Sequence, residues 1–265
     1  MCAMAAAPRE MVRESGAAAV GGPTPIYVVC SPSPRVGKTL VARCLTEYHV
    51  AGGRPVAAYD LSDESPQLTD YLPQHAEAAD IADVGGQMAL FDGLIAGEEM
   101  PKVIDVGHRA FWRFFAVVHR IGFFDEARMR GIEPVILFVT AADPRAEKAF
   151  ALLRCSFPDL SLLPVRNRAV MKGQGETFPH LGALDTGTLD VNALAVSLEI
   201  AELPSLLRGL VDRPGFSFAD FPHGASARLS AKSRGELLRF IQRFHAQLRD
   251  IELGLVNGEA LAGLH

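Results

Sequence analysis

Three consecutive residues, Gly37, Lys38 and Thr39, stand between an apolar run and an amphipathic stretch, and their types suit one chemistry. The run "IYVVC" at 26–30 reads as a buried strand, and from Lys38 to Val50 the residues Leu40, Val41, Cys44, Leu45 and Tyr48 recur at helical spacing. A strand that turns tightly into a helix aims backbone N–H groups and the positive end of the helix dipole at one point, which attracts phosphate oxygens. In such a cradle, lined by Arg35, Val36, Gly37, Lys38, Thr39 and Leu40, the lysine would lie along β- and γ-phosphates and the Thr39 hydroxyl would bind magnesium. The plainer reading is a helix N-terminus that carries a surface lysine.

The full phosphate-loop pattern, GxxxxGK[ST], asks for glycine at position 32, where this chain has proline. Neither Pro32 nor Pro34 has an N–H to offer, so the front of the loop grips incompletely.

Strand and helix signals alternate after the loop. "VAAYDL" reads as a second strand, residues 86–96 as a helix, "KVIDVG" as a third strand, 109–130 as a helix, "EPVILFVTAADP" as a strand, "RAEKAFALLRCSF" as its helix and "LSLLPVRNR" as a fifth strand. The connections are short, which predicts an α/β fold with a mostly parallel, doubly wound sheet and helices on both faces. Beyond Lys172 the stretch "GQGETFPHLGALDTGT" reads as loop, followed by helices near 204–212 and from Ser230 to about Leu255. We therefore expect a disordered tail at 1–24 and one domain at 25–265, with a C-terminal helical part at about 204–255.

Composition excludes several classes. Apolar residues make up 49% and charged residues 22%, ordinary globular values, and the net charge of −5 argues against coating nucleic acid by bulk charge. The four cysteines form no CxxC pair and are too few for a disulfide framework. With no export signal and no apolar run long enough to span a bilayer, a cytoplasmic location is expected.

"SPSPRVGKT", followed by "VAAYDL", "KVIDVG", "VILFVTAADPRAEKAFALL" and "LLPVRNR", resembles the ParA/MinD-like family of P-loop ATPases, whose loop usually reads KGGxGKT. The likeness covers residues 26 to about 170. It implies a P-loop NTPase fold, ATP and Mg2+ as cofactors, slow hydrolysis, and a homodimer or a heteromeric partner. The resemblance places three catalytic residues, Lys38, Asp60 and Asp105: Asp60 near the attacking water, and Asp105, with Thr39, in the magnesium shell. It also implies that Asn167 holds the adenine base and that Gly107 frees a loop to sense the γ-phosphate. The family's second acid after Asp60 falls on Ser62, and Asp63 is the nearest substitute. The loop lysine that reaches into a dimer partner falls on Ser33, and Arg35 is a candidate substitute cation. Carboxylates that merely cap helices are the competing reading for both acids.

Two alternatives come with the resemblance. One is a nucleotide-binding scaffold without hydrolysis. The other is a dethiobiotin-synthetase-like ligase, opposed by the acidic "DLSDES" where such enzymes carry a catalytic lysine. Nucleic-acid binding rests on Arg228, Lys232, Arg234, Arg239, Arg243 and Arg249 near the last helix, a set that also suits a solvated face. The stretch 109–124 reads as apolar over more than one helical face, hence core or partner-buried. His108 and His119 have no partner at ligand spacing and read as structural.

Overall fold

A computed structural model of the chain describes residues 22–63, 65–97, 99–170, 197–224 and 229–257. Seven strands among them form one sheet in the order β3-β2-β4-β1-β5-β6-β7, with every pair parallel. They are β1 (Thr24–Cys30), β2 (Ala57–Asp60), β3 (Ala76–Ala78), β4 (Lys102–Val106), β5 (Ile132–Val139), β6 (Ser161–Asn167) and β7 (Leu198–Ile200). The helices are α1 (Lys38–Ala51), α2 (Leu68–Tyr71), α3 (Val84–Ile95), α4 (Phe111–Ile121), α5 (Phe123–Met129), α6 (Pro144–Ser156), α7 (Ser205–Val211) and α8 (Ala231–Asn257).

The central strands are apolar without alternation, as burial on both faces requires; Ile26 to Cys30 are all fully buried. From β1 the chain steps toward β2 and β3, then turns back through β4 to β5, β6 and β7. Right-handed crossovers in opposite directions put their helices on opposite faces. Accordingly α1 packs with α2 and α8, while Phe91 of α3, Phe114 and Phe115 of α4, Phe124 of α5 and Phe157 at the end of α6 join in ring contacts on the other side. The expected α/β, doubly wound architecture is the one observed.

Register places the chemistry. Val29 and Cys30 stand opposite Asp105 and Val106, and Asp60 stands opposite Asp105. The loops after β1, β2 and β4 therefore meet at the carboxyl edge, beside the point where strand order reverses.

Several expectations need correction. The polar stretch after β2 contains α2 and the three-residue edge strand β3, so "KVIDVG" is the fourth strand and "LSLLPVRNR" the sixth. Residues 109–130 form two helices, because Gly122 adopts φ 64 and ends α4 with a left-handed residue that then starts α5. The 109–124 stretch buries one face, through Phe111, Phe114, Phe115, Val117 and Val118, while Trp112 and Ile121 remain half exposed. β7 was not expected at all. β1 begins at Thr24, inside the stretch expected to be tail, whose residues 1–21 lie outside the described ones. All of the "GQGETFPHLGALDTGT" stretch lies outside them too.

Candidate functional site

Helix α1 starts without a side-chain cap: its N-cap is Gly37 at φ 98, which leaves the first N–H groups of the helix open to an outside acceptor. Arg35 is also left-handed, at φ 57, a conformation that costs a residue with a Cβ about 1–2 kcal/mol. The loop therefore keeps a backbone suited to glycine at 35 although the residue there is arginine. The Lys38 ammonium donates to the Ser33 carbonyl at 2.8 Å, and the Ser33 hydroxyl donates to Oδ2 of Asp143 at 3.2 Å. Asp143 is the N-cap of α6, so position 33 is tied within the chain.

Asn167 fastens the loop from behind. Its Nδ2 donates to the Val36 carbonyl at 3.0 Å, and its Oδ1 accepts from Ala169 N at 3.1 Å. A Cβ at Gly37 would come within 2.5 Å of that Nδ2, so glycine is needed there for space as well as for φ. Val36 is buried and Leu40 half-buried.

Thr39 and Asp105 meet: the hydroxyl donates to Oδ2 at 2.6 Å. Asp105 is 1% exposed and its Oδ1 has no hydrogen-bond partner. Burial pushes its carboxyl up to about 7, against the opposing pull of the Thr39 hydrogen bond, with nearby Asp60 adding to the rise and Lys38 opposing it. Asp60 is engaged differently. Its Oδ1 accepts from Ser62 N at 2.9 Å and its Oδ2 from Thr69 N at 3.2 Å, so both oxygens hold the turn into α2. Burial raises its pKa, partly offset by those backbone donors. Gly107 serves close packing: a Cβ there would lie 2.8 Å from the Leu61 carbonyl oxygen.

An open cleft of about 830 Å3 begins at Gly37, Lys38 and Thr39 and runs on the β4 side of the loop to Tyr71 and Asp212. Arg35, Leu40, Asp63 and Arg109 line it too; Val36, Asp60, Asp105 and Asn167 do not. Sequence reasoning missed Arg43, Tyr71, Arg109 and Asp143. Only Arg109, four residues past the strand-end acid Asp105, sat where a spacing argument could have found it.

Among the described residues no group of His, Cys, Asp and Glu is arranged to hold a metal by itself, and His119 stacks edge-on to Phe157. His108 lines the cleft. On α8, Lys232, Arg239, Arg243 and Arg249 are exposed, but Arg234 donates to the Gly224 and Pro222 carbonyls and covers the Phe221 ring. Arg228 lies outside the described residues. No described helix is long and apolar enough to cross a membrane.

No protein-family model and no curated protein matches the sequence. Among solved structures, the MinC:MinD cell division protein complex of Aquifex aeolicus contains a chain 15% identical, covering 86% of this chain and 96% of that one, with a TM-score of 0.53. A plasmid partition protein from Borrelia burgdorferi is 12% identical over 56% of this chain and 80% of its own, with a TM-score of 0.38. With its order of parallel strands and its loop-to-helix turn at Gly37, the chain has the P-loop NTPase fold.

Proposed function

We propose that this chain is a ParA/MinD-like switch ATPase: it binds MgATP, pairs with a second copy or a partner protein, and hydrolyses slowly in the positioning of a protein or DNA cargo. The observation that carries the reading is the Thr39–Asp105 contact at the start of α1, with a buried carboxylate oxygen left without a partner. Hydroxyl and carboxylate oxygens are the donors magnesium takes, so Thr39 and Asp105 fit that ion. Bound there, magnesium would neutralise charge on phosphate oxygens. Lys38 and the open N–H groups of α1 would hold the phosphates themselves, and Arg35 is placed to add charge at the cleft. MinD was solved in complex with MinC, which supports a protein partner here. The mixed charge on α8 adds little for nucleic acid.

A binding scaffold without hydrolysis is favoured by one observation, that Asp60 is buried, has both oxygens engaged by backbone N–H groups and does not line the cleft. Two measurements separate these readings. MgATP at 100 times its Kd should stabilise the fold by about 2.7 kcal/mol, and Lys38→Ala should remove that gain; an undiminished gain puts the phosphate site elsewhere. Single-turnover hydrolysis then decides between switch and scaffold, and sizing with ADP, ATP and a non-hydrolysable analogue reads pairing.

A further inference from the structure

Asp63, in the loop after β2, and Arg109, in the loop after β4, form an ion pair with Nη1 to Oδ2 at 2.9 Å, and both line the cleft that starts at Lys38 and Thr39. Their side chains are 57% and 64% exposed, so solvent screens the contact and it breaks easily. The loops themselves press together, since Gly107 leaves no room for a Cβ beside Leu61 and Ser62. A change at Arg109 is thus felt by the loop after β2. Position 33 brings no charge to the cleft, because its residue is a serine bound to Asp143.

We propose that Arg109 is a nucleotide-sensing cation: it rests on Asp63 in the unliganded chain and passes to the terminal phosphate of a bound nucleoside triphosphate, releasing the loop after β2. The guanidinium fork matches phosphate oxygens as well as a carboxylate, and a terminal phosphate carries more charge than Asp63. A diphosphate lacks the group that draws Arg109 away, so the pair stays closed with ADP. The two arrangements differ in whether Arg109 holds Asp63 or the phosphate, which makes them a two-state element biased by the nucleotide.

The inference rests on the nucleotide reading above, and calorimetry on the full chain with Mg2+ and either ADP or a non-hydrolysable ATP analogue tests the two separately. If the wild-type chain binds neither, the nucleotide reading falls and this inference with it. If it binds, Arg109→Gln should leave ADP affinity unchanged and weaken the ATP analogue by about tenfold. Asp63→Asn should shift preference the other way, toward the triphosphate, by removing a competing partner. In the Arg109→Gln background, Asp63→Asn should have no effect. Equal losses for both nucleotides, or no loss in Arg109→Gln, overturn the proposal. So does an Asp63→Asn gain that persists without Arg109, which would make Asp63 a plain repulsive charge.

Discussion

Thr39 and Asp105 stand 66 residues apart in the chain and one hydrogen bond of 2.6 Å apart in space, joining the first turn of α1 to the end of β4. The carboxylate is buried and half satisfied, an arrangement that costs stability when no ion is bound. Its folded pKa, about 7, lies above its ordinary value of 3.8. The sign follows: the unfolded chain gives up this proton more readily, so the group lowers stability progressively as pH rises from about 4 through 7.

Asp105→Asn should therefore raise the melting temperature of the nucleotide-free chain at pH 7.5, since the amide can still accept from Thr39 and carries no charge. Each 1 kcal/mol regained is worth roughly 2–4 °C in a chain of this size. The same variant should lose the magnesium-dependent part of ATP binding. Scanning calorimetry with and without MgATP reads both effects, and a lower melting temperature in the apo variant would contradict the first.

Arg35→Gly separates charge from strain. Glycine takes φ 57 without penalty, so the variant should match or exceed the wild-type stability, by at most about 1–2 kcal/mol. If Arg35 also contacts a γ-phosphate or a partner's phosphates, ATP affinity should fall about tenfold with ADP affinity unchanged. Denaturant unfolding and nucleotide titration check the two halves, and equal losses for both nucleotides would leave Arg35 as a loop-shaping residue only.

A second buried group predicts acid sensitivity. His49 on α1 is fully buried against Tyr27 and Tyr48, near Arg54 and Glu252, and neither ring nitrogen is hydrogen-bonded. Burial, with the Arg54 charge second, holds its pKa down to about 3. Because the unfolded chain takes up this proton near pH 6.5 and the folded chain refuses it, stability should fall as pH drops below about 6.5, by up to about 1.4 kcal/mol per pH unit. His49→Leu should flatten that fall. His245, also shifted down mainly by burial, keeps part of it. Urea unfolding at pH 7, 6, 5 and 4 measures the slope, and parallel curves for variant and wild type would contradict the assignment.

The sheet was legible where burial writes apolar runs into the sequence, as at 26–30 and in "VILFV". It was illegible where strands are short edges: Ala76–Ala78 and Leu198–Ile200 are three residues each, too few to show a period. Lys38 and Thr39 were readable because a strand end and a helix start fix them locally, whereas Asp105 was singled out through the family resemblance. The roles of Ser33, Asn167 and Arg109 depend on partners 110, 131 and 46 residues away, which no local pattern encodes.

Arg43 shows the same limit and gives the last prediction. It sits on α1, just past the phosphate loop, 2% exposed, paired with Glu47 at 3.1 Å, and donates to the carbonyls of Val211 and Phe216. Its guanidinium lies over the rings of Tyr71 and Phe218, and the second Glu47 oxygen accepts from Ala219 N. Sequence alone makes it one more charge on a helix. In the fold it fastens residues 211–219 and α2 to the helix that would bear the nucleotide. Arg43→Met leaves Glu47 buried without its cation and two carbonyls without donors, a loss of about 3–5 kcal/mol. Arg43→Met with Glu47→Met removes both charges together and should recover a substantial part of that loss. Hydrogen exchange should locate the damage: the amides of 211–219 should lose protection before those of β1 and β5. Additive losses in the double variant would mean that the two residues stabilise the fold independently, and uniform loss of protection would mean that Arg43 is no local fastening.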